Sequence, residues 1–214
     1  MISISGIKFQ KELETLACFN KHQASVLIGK KGKNLDKKIE HLKKIGYLLN
    51  LKKGIYTTSF FYQTVDKNFY IKYIANTLRS PSYISLEYVL EKEGLIPETV
   101  HALTSITSKS SRTFTNFLGN FIYRSVKEKL FIGFIDKLQE NKKIYIAKKS
   151  KALFDFLYLK KFQKIDPENI KDLRINWVNF SKTDFKEFSG YVKFSKSKKM
   201  AKILKIIAKN TYAY

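Results

Sequence analysis

Residues 32–58 read GKNLDKKIEHLKKIGYLLNLKKGIYTT, and this stretch decides the predicted fold of the N-terminal part of the chain. An apolar residue recurs at every third or fourth position of residues 34–45, which predicts a helix there. Gly46 then stands where a helix normally ends. Two short strand-like runs follow, and the basic glycine turn Lys52-Lys53-Gly54 that joins them indicates a β-hairpin.

Upstream of this stretch, the same helical spacing covers residues 8–19 and a shorter piece over residues 22–28. The segment Gly29-Lys30-Lys31-Gly32 follows the second piece, and two glycines in four residues favour a turn. Three helices followed by a hairpin is the order of elements in a winged helix-turn-helix. We therefore expect a winged helix-turn-helix DNA-binding domain over residues 1–62.

The candidate DNA contacts lie on the polar side of the helix at residues 34–45. At about 100° per residue, Lys33, Lys37, Glu40 and Lys44 lie opposite the apolar residues. Lysine bonds guanine edges or phosphates and asparagine pairs with adenine, whereas lysines in a turn or hairpin reach phosphates. The predicted DNA-binding residues are Lys30, Lys31, Lys33, Asn34, Lys37, Lys38, His41, Lys44, Lys52 and Lys53. A lysine-rich face that is merely solvated is the alternative, but the succession of basic turn, basic helix and basic hairpin favours DNA.

The net charge is weaker support for DNA binding than the positions of the lysines. The chain carries 41 basic and 18 acidic residues, a formal net charge of +23 that favours polyanionic partners. However, only Arg79, Arg112, Arg124 and Arg174 are arginine, and A/T-rich codons enrich a chain in lysine whatever its function. The charge alone therefore does not decide between the two explanations.

Composition bounds the class of protein. Hydrophobic residues make up 44% of the chain, which is enough to bury a core. The single cysteine, Cys18, excludes an internal disulfide framework and a cysteine-built zinc site, and we expect neither a metal nor a cofactor. The sequence shows neither a signal peptide nor a run of about 18 apolar residues. We therefore expect a cytoplasmic protein that does not interact with membranes.

Residues 63–214 are expected to form a second, α/β domain with helices at its C-terminus, which makes the fold class α+β. The predicted helices cover residues 66–79, 85–93, 149–162 and 196–209. Alternating and β-branched residues predict one antiparallel or mixed sheet with strands at 103–107, 112–115, 120–126, 131–137 and 143–147. Ser85 is the expected N-cap of the second helix.

Several short motifs of this second part occur in a familiar order. They are PSYISLE at 81–87, GLIPE at 94–98, TSIT at 104–107, FIYR at 121–124, FIGF at 131–134 and KALFD at 151–155. In order and spacing they resemble the AbiEi family of antitoxins, the winged-helix transcriptional regulators of type IV toxin–antitoxin systems that act in abortive infection and phage defence. The resemblance covers roughly residues 7–160. The family usually has Pro-Glu where Lys149 and Ser150 stand here, and that departure puts any role of the glutamate in doubt.

The resemblance implies a protein with two activities. The family's winged helix binds inverted repeats in the double-stranded DNA of its own promoter and represses transcription. The domain that follows counteracts a nucleotidyltransferase-class toxin, and the two proteins need not form a stable complex. The competing interpretation is a winged-helix repressor with a ligand-binding or oligomerisation domain and no toxin partner.

Polar residues on the half-buried elements of the second domain form a predicted cluster: Arg112, Tyr123, Arg124, Lys151 and Asp155. They are interpreted as a structural cluster in which Asp155 pairs with Arg124 or Lys151, with a surface that acts on the toxin or a nucleotide as the alternative. No enzyme is expected, because the chain lacks the GxxxxGK[ST], HExxH and GxSxG motifs. A membrane-surface helix at residues 196–209 is the less favoured interpretation of that amphipathic segment.

Overall fold

The computed structural model describes residues 6–139 and 141–211. These residues form two compact units. The first runs to Ile74 and includes Phe114–Gly119, and the second contains the rest of the described chain. The first unit therefore extends past residue 62, where the sequence suggested a boundary.

The first unit combines helices with a small sheet. Its helices are α1 (Gln10–Glu14), α2 (Lys21–Ile28), α3 (Gly32–Lys44), α4 (Ser59–Thr64) and the first part of α5 (Lys67–Leu78). Its strands are β1 (Phe19–Asn20), β2 (Leu48–Lys52) and β3 (Ile55–Thr58). They pair in the order β1-β3-β2, and both pairs are antiparallel. The helix predicted at 34–45 and the hairpin after it are both confirmed.

The helix predicted over residues 8–19 is wrong in its second half. Helix α1 ends at Glu14, and Phe19 and Asn20 pair with β3 instead. The reason is local, because the Asn20 side chain accepts a hydrogen bond from the Gln23 amide while the Gln23 side chain accepts one from the Asn20 amide. This capping box holds Asn20 extended and starts α2.

An apolar core cluster packs the helices of the first unit against its small sheet. Its buried members are Leu13, Phe19, Ala24, Ile28, Leu35, Ile39, Leu42, Tyr47 and Leu48. A buried carboxylate adds a polar tie at the edge of this core, since Glu14 accepts hydrogen bonds from the Tyr47 hydroxyl at 2.9 Å and from Gln10 at 2.8 Å. Burial and the neighbouring Glu14 both raise the pKa of Tyr47, so the phenol stays protonated and donates.

The larger sheet is mixed, as expected. Its strands are β4 (Ser82–Ile84), β5 (Ala102–Thr107), β6 (Arg112–Asn116), β7 (Gly119–Ser125), β8 (Phe134–Gln139) and β9 (Lys142–Ala147). They lie in the order β6-β7-β5-β4-β9-β8. Pairs β5–β7 and β4–β9 are parallel, whereas β4–β5 and β8–β9 are antiparallel. Two sheets with helices outside them give a mixed α+β protein.

The second unit has α-helices and two short 3-10 turns around this sheet. The helices are α6 (Glu87–Lys92), α7 (Lys149–Leu159), α8 (Pro167–Lys171), α9 (Lys182–Ser195) and α10 (Lys198–Thr211), and the turns are Glu128–Leu130 and Trp177–Asn179. Helix α10 buries Met200, Ile203 and Ile207 against the protein. Its apolar face is therefore used for packing. None of the helices in the described residues has the length and hydropathy needed to span a membrane.

Candidate nucleic-acid interface and buried polar cluster

Helix α3 separates its residues cleanly into a buried and an exposed side. Leu35, Ile39 and Leu42 are at most 3% exposed. Their packing in the core fixes the rotation of the helix about its own axis. Positions 33, 37 and 44 repeat at intervals of four and seven residues and therefore share the opposite face. Lys33 and Lys37 are both exposed there, as is Lys44. The apolar stripe thus fixes the direction in which these lysines project.

The acidic residues of α3 are paired with lysines other than Lys33, Lys37 and Lys44. Asp36 forms an ion pair with Lys21 at 2.5 Å, and Glu40 forms one with Lys43 at 3.0 Å. Within the described part of the chain, no carboxylate pairs with Lys33, Lys37 or Lys44. The exposed face of α3 therefore presents uncompensated positive charge.

The connection between α2 and α3 is a short ordered turn. Gly29 ends α2 with a φ of +76°, in the left-handed region that favours glycine. The Ser25 hydroxyl donates to the Lys30 carbonyl at 2.7 Å, which holds the turn against α2. Lys31 precedes α3 without a side-chain cap, and the first turn of the helix contains no acidic residue. The amide groups at this end are therefore available to an anion.

The β2–β3 hairpin carries two further predicted DNA-binding residues at its tip. Lys53 is exposed in the turn, while Lys52 is half-buried and lies over the Phe114 ring at 5.6 Å. The Asn116 amide donates to the Leu51 carbonyl at 2.8 Å. Residues 114–119 therefore pack against the hairpin. Of its two lysine side chains, Lys53 is the more exposed and the more accessible to a ligand.

The predicted DNA-binding residues fall into two groups by exposure. Those that are exposed are Lys30, Lys31, Lys33, Asn34, Lys37, His41, Lys44 and Lys53. Lys38 and Lys52 are half-buried. All ten lie in α3, in the turn before it or at the hairpin.

In the second unit the structure corrects the predicted cluster. Lys151 and Asp155 are paired at the centre of α7, with the lysine 1% and the aspartate 0% exposed. Arg112 and Arg124 are not part of the cluster, because both are exposed on β6 and β7. Tyr123 is buried elsewhere and donates to the Ala75 carbonyl at 2.5 Å. Lysine four residues before aspartate on one helix face reaches the carboxylate more directly than an arginine on a strand can.

Two residues missing from the predicted cluster complete it. The Tyr83 hydroxyl and the Ser85 hydroxyl each donate to Asp155 Oδ2 at 2.9 Å. Ser85 therefore does not cap α6, whose N-cap is Leu86. The alternation of positions 83 and 85 could have revealed both residues, because a spacing of two places side chains on one face of an extended segment.

Burial dominates the electrostatics of this cluster. It raises the pKa of Asp155, while the Lys151 ammonium and the two hydroxyl donors lower it. Burial lowers the pKa of Lys151, and the Asp155 carboxylate raises it. Burial and the adjacent Asp155 raise the pKa of Tyr83, which therefore acts as a proton donor. Three donors around one carboxylate, with every member inaccessible, form a structural tie rather than a reactive centre.

Leu86, next to this cluster, has an unusual backbone conformation. Its φ of 62° and ψ of −144° lie in a region that residues other than glycine rarely adopt. The Thr104 hydroxyl stabilises this conformation, since it accepts from the Tyr88 amide at 3.0 Å and donates to the Ser85 carbonyl at 2.6 Å. The strand-to-helix transition is therefore held from β5 as well as from α7.

No group of three or more His, Cys, Asp or Glu side chains in the described residues is placed to hold a metal ion. Comparison with known proteins gives no family assignment: no protein-family model matches this chain, and no match to it is found among the curated proteins.

Proposed function

We propose that the chain is a sequence-specific DNA-binding repressor whose N-terminal unit is a winged helix-turn-helix. Helix α3 is its recognition helix and the β2–β3 hairpin is its wing. One observation carries the proposal: Lys33, Lys37 and Lys44 project without acidic partners from the side of α3 opposite its buried stripe. A DNA major groove of about 12 Å width admits a helix presented in this way.

The residues divide into two kinds of DNA contact. Asn34, Lys37 and Lys44 are proposed to contact base edges, where asparagine pairs with adenine and lysine with guanine. Lys33 and Lys44 are separated by roughly 16 Å along the helix axis, so α3 spans several base pairs. Contacts by these side chains determine which sequence is bound.

Phosphate contacts are proposed for the turn before α3 and for the hairpin tip. Lys30, Lys31 and the uncapped first turn of α3 favour one phosphate, and Lys53 with Lys52 favours another. Such contacts raise affinity for any duplex and make binding depend on salt. They position α3 without choosing its sequence.

The resemblance to the AbiEi antitoxins suggests which DNA is bound and what the second unit does. We propose that the DNA is the chain's own promoter and that the second unit counteracts a nucleotidyltransferase-class toxin. PSYISLE and KALFD are among the motifs that carry this resemblance, and their residues Tyr83, Ser85, Lys151 and Asp155 form the buried cluster that stabilises the second unit. A repressor without a toxin is the alternative, and co-expression with a neighbouring toxin gene distinguishes the two. Relief of toxicity supports the antitoxin, and unrelieved toxicity contradicts it.

A nuclease footprint on the DNA upstream of the chain's own gene tests the DNA-binding proposal. The expected result is protection of two inverted repeats separated by about one helical turn or a multiple of it. Protection should persist when unrelated duplex is added in excess. Uniform protection, or protection that unrelated duplex removes completely, would contradict sequence-specific binding.

A further inference from the structure

A basic groove in the second unit is used neither by the proposed DNA interface nor by the buried cluster. It has a volume of about 420 Å³ and is lined by the beginning of α6, the C-terminal end of α7, and residues 111, 124 and 125. Its cations are Arg124, Lys160 and Lys161, and its carboxylate is Glu87. Within the described residues, none of the three cations forms an ion pair, although the Lys160 ammonium lies over the Phe156 ring at 5.3 Å. The groove therefore attracts an anionic ligand.

We propose that this groove binds a nucleoside phosphate. Arg124 and the two lysines neutralise the phosphate, because arginine binds phosphate oxygens through a bidentate fork and lysine through its compact charge. Ser111 contributes a hydroxyl donor: its oxygen already accepts the Ser125 amide hydrogen bond at 2.9 Å, so its own proton is directed away from that amide.

The remaining walls of the groove fit a nucleoside better than inorganic phosphate. Leu86, Phe156 and Leu159 form an apolar side against which a base can pack, and the Lys160 ammonium lies over the half-buried Phe156 ring at 5.3 Å. Glu87 supplies an acceptor for ribose hydroxyls, the role that an acidic residue has in many nucleotide sites. Cations, a hydroxyl, an apolar wall and one carboxylate together match the chemistry of a nucleotide.

The backbone at the edge of the groove provides a second, independent indication of ligand binding. Leu86 lines the groove and is held in a backbone region that costs of the order of 1–3 kcal/mol for a residue with a side chain. Such conformations cluster at ligand sites, where the surrounding structure maintains them. The sequence also singled out Arg124, which the structure places in this groove rather than beside Asp155.

The test uses the full-length chain and a fluorescent ADP that carries a methylanthraniloyl group. Binding is followed by fluorescence anisotropy without DNA. Arg124→Gln should weaken binding about tenfold or more, because it removes a charge-assisted contact. Arg112→Gln is the matched control, since it removes the same charge from an exposed arginine that does not line the groove, and it should leave affinity within about twofold.

Competition identifies the ligand. Unlabelled ADP should displace the probe at lower concentration than pyrophosphate or adenosine, because only ADP uses both the cations and the apolar wall. Lys37→Ala with Lys44→Ala should leave ADP binding unchanged, so the outcome is independent of the proposed DNA interface. Four results would overturn the proposal. The probe could fail to bind, or the two arginine variants could weaken its binding equally. Duplex DNA could displace the probe when ADP does not, or pyrophosphate could displace it as effectively as ADP.

Discussion

Replacing Asp155 by asparagine is the sharpest perturbation of the second unit. Asparagine has almost the same shape and keeps an oxygen that can accept from Tyr83 or Ser85. It removes the negative charge beside Lys151, whose side chain is only 1% exposed. Leaving one member of a buried ion pair without its partner costs about 3–5 kcal/mol. We therefore expect Asp155→Asn to lower the free energy of unfolding of the second unit by about that amount at pH 7.

A double-mutant cycle separates the lost pairing from simple damage to packing. Lys151→Met replaces the lysine by a flexible apolar side chain, and the site is suited to it because the Phe154 ring lies 4.8 Å from the ammonium and the Tyr83 and Tyr191 rings lie 5.7 Å from it. The double variant has no buried charge. It should be more stable than the sum of the single effects predicts, with a coupling of about 2–3 kcal/mol.

Trp177 provides the signal for this measurement. It is the single tryptophan of the chain and belongs to the second unit, so its fluorescence in urea reports the unfolding of that unit. The pH dependence adds a check. In Asp155→Asn, burial holds the pKa of Lys151 below its ordinary 10.5, so the unfolded chain binds more protons in the intervening range. The stability deficit should therefore shrink as pH rises from 7 towards about 10.

Two outcomes would contradict the interpretation of Lys151 and Asp155 as a coupled buried ion pair. A loss below about 1 kcal/mol in Asp155→Asn would mean that the lysine finds another partner or water. Additive effects in the double variant would mean that the two residues stabilise the unit separately rather than as a pair.

Gly133→Ala should destabilise the second unit by about 1–3 kcal/mol, because a Cβ there would lie 2.5 Å from the Tyr191 hydroxyl and the backbone φ is +78°. Unfolding in urea followed by Trp177 fluorescence measures this loss, and an unchanged urea midpoint would contradict it. Asn20→Ala should remove the capping box of α2 and cost the first unit about 1 kcal/mol, measured by circular dichroism in urea, and Asn20→Asp should restore most of it. Lys52→Ala with Lys53→Ala should weaken binding to all duplexes alike and flatten the logarithmic salt dependence by about 0.9 for each lost phosphate contact; a selective loss for one sequence would reassign the hairpin to base recognition.

The parts of the fold that the sequence predicts best are those whose apolar residues repeat over many positions. Helix α3 has such a repeat, and its period fixes which lysines face outward. Strand β1 has only two residues, and the apolar Leu16 and Ala17 before it continue a helical spacing. The competing influence is the capping box between Asn20 and Gln23, whose side chains act over three residues and break the helix.

The buried cluster of the second unit shows a second kind of feature that the sequence does not predict, namely which side chains pair with each other. Position and charge identify Lys151 and Asp155 as polar residues on a largely apolar helix. They do not decide whether Asp155 pairs along the helix or across to a strand, because that depends on how the sheet packs against α7. The ring of Tyr83 is buried, as is usual for an aromatic residue, but the feature that matters to the cluster is its hydroxyl, which donates to Asp155.

Sequence recognition by α3 can be measured by comparing, at one salt concentration, the affinities of the chain for its own promoter and for a scrambled duplex of the same length. Lys37→Ala with Lys44→Ala should reduce the ratio of these affinities to near one, since each specific base contact contributes about 1–3 kcal/mol of discrimination. Lys202→Ala with Lys205→Ala removes the same charge from the exposed side of α10 and should keep the ratio of the unaltered chain. If the α3 variant keeps the affinity ratio of the unaltered chain, or if the ratio falls equally in both variants, sequence recognition by α3 is contradicted.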